Sequence, residues 1–106
     1  MILTTTPSVA GKEVREHKGL VTAEAIMGAH VGRDILANLR DFFGGRSKAY
    51  ENVVISAKET VIRELEERAA ALGADAIISI DFDFETVGQR GSMLMVSASG
   101  TAVKLK

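Results

Sequence analysis

LGADAIISIDFDFETVGQRGSMLMVSASGTAVK, residues Leu72 to Lys104, contains two long alternating runs separated by a glycine-bounded turn at Gly88–Gly91. In the first run Ala76, Ile78, Ile80, Phe82 and Phe84 alternate with Ile77, Ser79, Asp81, Asp83 and Glu85. The second sets Leu94, Val96, Ala98, Gly100 and Ala102 against Met93, Met95, Ser97, Ser99, Thr101 and Val103. A period of two is the mark of a strand with unlike faces, so the stretch predicts an antiparallel hairpin. Its apolar faces coincide when Phe84 lies opposite Leu94, Phe82 opposite Val96 and Ile80 opposite Ala98. That register puts Asp83 beside Met95 and Glu85 beside Met93. A one-residue slip would turn every apolar side chain to the wrong side. The second face then mixes carboxylates, thioethers and hydroxyls with Ile77 and Val103. Being half apolar, it calls for a subunit partner.

Upstream of the hairpin, Tyr50, Val54, Ala57, Val61, Leu65 and Leu72 recur at helical spacing. They predict a helix capped by Ser47 and closed by Gly73. Ile35, Leu36, Leu39, Phe42 and Phe43 predict a shorter helix over Arg33–Phe43, stopped at Gly44-Gly45. Glu13–Met27 reads as extended, most strongly from Leu20, with neither face cleanly polar. Met1–Thr5, ended by Pro7, suits an edge strand. The fold class is therefore α+β: an antiparallel sheet of about three to four strands with two α-helices packed on one face, in one domain spanning 1–106.

Composition narrows the function. The chain has 106 residues, 46% of them hydrophobic and 25% charged, with a formal net charge of −1. Such a balance gives no field to draw it to nucleic acid or an anionic membrane. There is no cysteine, which removes disulfides, thiolate metal sites, iron–sulfur clusters and thiol nucleophiles. The amino-terminal segment has no basic and apolar leader pattern, and no run approaches the roughly 18 apolar residues of a membrane span. The expectation is a soluble, cytoplasmic protein.

Few residues carry chemistry. Asp81, Asp83 and Glu85 stand on one strand face, about 6.6 Å apart in succession. A row so spaced converges on a hard cation only with help from another strand or subunit. Met93 and Met95 beside it offer soft donors, although packing is methionine's ordinary role. His17 and His30 are the only histidines and fit no zinc-binding spacing. Gly44-Gly45-Arg46-Ser47 precedes a helix but lacks the P-loop spacing; it reads as a helix stop followed by an N-cap. No nucleophilic triad or GxSxG is present.

Several segments taken in order resemble the YbjQ-like family, small bacterial proteins labelled heavy-metal-binding. They are Thr5-Thr6-Pro7, VTAEAIMGA from Val21, Arg33-Asp34, Arg40-Asp41, GGRSKAYE from Gly44, LGADA from Leu72, and the ETVG…GSMLMVS…GTAVK hairpin. The resemblance implies a two-layer, dodecin-like architecture with a helix-backed sheet, assembled as a ring-shaped homopentamer. It also points to Glu24, Arg33, Asp34, Arg40, Asp41 and Glu85 as ligand-binding candidates, each a charge beside small or apolar residues. Asp81, Asp83, Glu85, Met93 and Met95 are the metal candidates, for a divalent or heavy-metal ion. Ala23, His30 and Phe84 depart from the family's usual Gly, Asn and Tyr. The leading reading is a non-enzymatic homo-oligomer holding a metal ion or small ligand near subunit interfaces. The alternatives are an enzyme for a small anionic substrate, with Arg33 or Arg40 as clamp, and a scaffold without a ligand.

Overall fold

The computed structural model describes residues 1–27, 48–89 and 93–106. In chain order the elements are β1 (Ile2–Leu3), β2 (Val14–Met27), α1 (Lys48–Ala71), β3 (Ala76–Val87) and β4 (Met93–Leu105). They form an α+β structure, one four-stranded sheet in the order β1-β3-β4-β2 with α1 packed mainly across β2 and β4. The expected shorter helix, Arg33–Phe43, lies outside the described residues, as does the Ser47 cap.

The sheet is mixed where a purely antiparallel one was expected. β1 runs parallel to β3, with Ile2 opposite Ala76 and Leu3 opposite Ile77. β1 and β3 are not successive strands, since β2 and α1 lie between them in the chain, so no tight hairpin forces the pair antiparallel. Past its end the chain keeps bonding to β3: Thr4 N–H donates to the Ile77 carbonyl, and Ile80 N–H donates to that of Thr4.

α1 turns a seam of Ala57, Val61, Leu65 and Ala69, all fully buried, onto the sheet. Its end is a Schellman motif: Gly73 N–H donates to the Ala70 carbonyl at 2.9 Å and Ala74 N–H to that of Ala69 at 3.0 Å. Gly73 supplies the positive φ of 77° this requires. Leu72, expected in the seam, is 41% exposed, because the chain has already left the helical path. Ala69 fills the last seam position instead.

Two features of the hairpin differ from the sequence reading. β3 and β4 pair with Phe84 opposite Val96 and Phe82 opposite Ala98, and Val87 pairs with Met93. The register is thus displaced by two residues from the expected one, because the connection takes five residues rather than a tight turn. An even displacement leaves every side chain on its own face, so alternation could not detect it. Asp83 consequently faces Ser97, Glu85 faces Met95, and Met93 faces Val87; the expected Asp83–Met95 and Glu85–Met93 pairs do not form.

The second feature is a β-bulge between Ile78 and Asp81, where β3 sets Ser79 and Ile80 against Gly100 alone. Ser79 adopts a φ of 54°, and its N–H turns to the Thr6 carbonyl at 2.9 Å. The extra residue reverses the alternation. Ile77 and Ile80 lie in the helix-facing core with Val21, Leu94 and Val96. Ala76 and Ile78 pack on the other side with Val103, Val9, Val14 and Leu105. The expected common face of Ala76, Ile78 and Ile80 is therefore broken at Ser79. The loop bearing Val9 covers one end of the second face, leaving the other end open.

Candidate functional site

β4 lies between β2 and β3, and this order builds the open end of the second face as a set of cross-strand rows. Thr22, Ser99 and Asp81 form one row; Glu24, Ser97 and Asp83 form the next; Ile26, Met95 and Glu85 form the third. Thr22, Glu24, Asp81, Asp83, Ser97 and Ser99, with the edges of Ala23 and Ala98, line an open basin of about 270 Å³. The carboxylates on β2 and β3 start two strand spacings apart, about 9.6 Å between backbones. The central strand fills the gap with serines, small enough to leave a hollow.

The sequence candidates divide accordingly. Glu24, Asp81 and Asp83 come together in the basin, drawn from two strands far apart in the chain. Glu85 stands one row beyond, and Met93 lies past it opposite Val87. Arg33, Asp34, Arg40 and Asp41 lie outside the described residues. Among the described residues, no three His, Asp or Glu side chains come close enough to hold a metal ion. The hydroxyls of Thr22, Ser97 and Ser99 were legible only as part of a mixed face; their place beside Glu24 depends on β2 pairing with β4.

Apolar side chains bracket the basin. Leu20 is 73% exposed and Ile26 55%, each a row away from it along β2. From the other layer, the Arg68 guanidinium donates to the Thr22 carbonyl. This ties α1 to the strand that carries Thr22 and Glu24. Among the described residues, no helix is long and apolar enough to cross a membrane.

A family model described as "Putative heavy-metal-binding" matches residues 1–106. The chain belongs to the YbjQ-like family. The fold of this YbjQ-like chain also resembles a crystal structure of a protein of unknown function from Pediococcus pentosaceus, assigned to the DUF74 family. The match has a TM-score of 0.69 at 22% identity, covering 100% of this chain and 98% of that one. At that identity the likeness speaks for the fold alone.

Proposed function

We propose that this protein is a non-enzymatic, cytoplasmic homo-oligomer, a pentamer, that binds a cation or small ligand on the open sheet face where a second copy completes the site. The observation that carries this reading is the basin itself. Three carboxylates from two strands share one hollow with three hydroxyls, and no cationic side chain lines it among the described residues. A single chain brings the acids near one another without converging them, and oxygen ligands for a hard cation must converge. A second copy seated on Leu20 and Ile26 would close the hollow and remove their apolar surface from water.

The copy that fits is one making a head-to-tail contact. Glu24, Asp81 and Asp83 would oppose their own duplicates in a face-to-face dimer, and like charges brought together destabilise it. A second apolar patch, distinct from the first, exists on α1. Ile55 and Ile62 are 48% and 37% exposed and lie two turns apart on one flank of the helix. Contact between two different patches propagates from copy to copy and closes as a ring when the rotation between copies divides a full turn, as the proposed pentamer requires.

Native mass spectrometry of the purified protein, with elemental analysis of the same sample, tests both halves. The expected result is a pentamer that carries a cation or small molecule. A monomer at micromolar concentration overturns the assembly. A bare pentamer whose binding of added cations is unaffected by Asp83→Asn overturns the site.

A further inference from the structure

The donors of this chain do not match the heavy-metal description attached to its family, and the mismatch is specific enough to test. Thiophilic ions such as cadmium, mercury(II) and copper(I) are held by thiolates, imidazoles and clustered thioethers. The chain has no cysteine, two histidines and four methionines. Met1 is at the terminus, 48% exposed. Met27 lies opposite Leu94 and packs into the helix-facing core. Only Met93 and Met95 share the open face, and their neighbours across the strands are Val87, Glu85 and Ile26. His17 pairs with Val103 at the far end of β4, eight residues from Met95 and therefore about 26 Å away along the strand. It cannot join the two thioethers on one ion within a chain; His30 lies outside the described residues.

We infer that this protein does not sequester thiophilic heavy metals, and that Met93 and Met95 serve as packing surface on the open face. Two neutral thioethers offer neither the charge of a thiolate nor a third soft donor among the described residues, so any ion resting there exchanges freely. The inference deepens the proposed function by restricting the class of cation; it does not require that reading to hold.

Equilibrium dialysis of the full-length protein against cadmium, mercury(II) or copper(I), followed by elemental analysis, tests it. The expected result is that none of the three ions is retained in a fixed proportion to the assembly, whether per chain or per ring, after exhaustive dialysis against metal-free buffer. The Met93→Leu/Met95→Leu double variant should be indistinguishable from the parent, since leucine keeps the volume and apolarity. A fixed equivalent of any of the three, retained per chain or per ring, overturns the inference. Loss of that equivalent in the double variant, in His17→Ala or in His30→Ala would then identify the donors. A parallel dialysis against manganese separates the two readings: its retention bears on the oxygen-lined basin and leaves the soft-metal inference untouched.

Discussion

At the scale of the residue, Gly100 and Ser79 are two halves of one device. A Cβ on Gly100 would lie 2.7 Å from Ile77 Cγ2, 3.1 Å from Ile80 Cγ1 and 3.2 Å from the Ile78 carbonyl oxygen. The bulge brings both isoleucines over this position, and only glycine leaves them room. Gly100→Ala is therefore expected to destabilise the fold by about 1–3 kcal/mol through overpacking. Ser79 carries the opposite sign. Its φ of 54° is a left-handed backbone that costs a non-glycine residue about 1–2 kcal/mol. Ser79→Gly should relieve that strain, less the entropy glycine adds to the unfolded chain, for a net gain of a few tenths to about 1 kcal/mol. Urea denaturation of the two variants reads both; Gly100→Ala as stable as the parent would mean that the bulge can shift at no cost. This device was hidden in the sequence. Ile77, Ile78 and Ile80 are all apolar, so the pattern there permits either parity, and only the carbonyls of Thr4 and Thr6 select the bulged one.

At the scale of the element, the seam of α1 and its stop at Gly73 were legible in the sequence, and the place of Leu72 was not. The seam positions Ala57, Val61 and Leu65 follow from spacing alone, whereas Ala69 and Leu72 exchange roles because Gly73 starts the turn one residue after Leu72. The consequence is measurable. Leu65→Ala, at a fully buried site, should cost about 2–5 kcal/mol, while Leu72→Ala should cost well under about 1 kcal/mol. Equal losses at the two positions would show that the helix continues through Leu72. The strand that follows is fastened by Asp75. Its carboxylate accepts the Leu105 N–H at 2.9 Å and the Lys104 ammonium at 3.3 Å, and its own N–H donates to the Val103 carbonyl at 2.8 Å. The Leu105 N–H first, and Lys104 after it, hold the Asp75 carboxyl below its ordinary value of 3.8. A folded-state pKa depressed in this way contributes stability above pH 3.8 and loses it as pH falls through the lowered value. Asp75→Asn keeps an acceptor for Leu105 but loses the charge. The variant should have a lower urea midpoint than the parent at neutral pH, and the gap should shrink below pH 3.8. A gap that stays constant across that range would assign the effect to shape rather than charge.

At the scale of the whole molecule, the described residues extend over 52 × 23 × 16 Å with a radius of gyration of 16.6 Å. One end of the second sheet face is closed by the Val9 loop and the other is left with Leu20 and Ile26 in water. The half-apolar character of this face was legible from alternation. The gathering of Glu24 with Asp81 and Asp83 was not, since it rests on a strand order that no local pattern encodes. The proposed ring makes a demand that a symmetric dimer does not, because its contact joins two different patches. A Leu20→Lys/Ile26→Lys variant spoils the sheet patch, and an Ile55→Lys/Ile62→Lys variant spoils the helix patch. All four positions are exposed, so each variant should fold, with the circular dichroism of the parent. Each alone should be monomeric by light scattering, since every contact in a homogeneous ring needs both patches. Mixed in equal amounts, the two retain one good patch apiece and can make one contact. The mixture should therefore give a heterodimer and nothing larger, because the second contact would meet two spoiled surfaces. If the helix-patch variant assembles as the parent does, the two-patch contact is excluded and the sheet face pairs with some other surface. If both variants are monomeric and the mixture stays so, each patch matters but they do not meet each other.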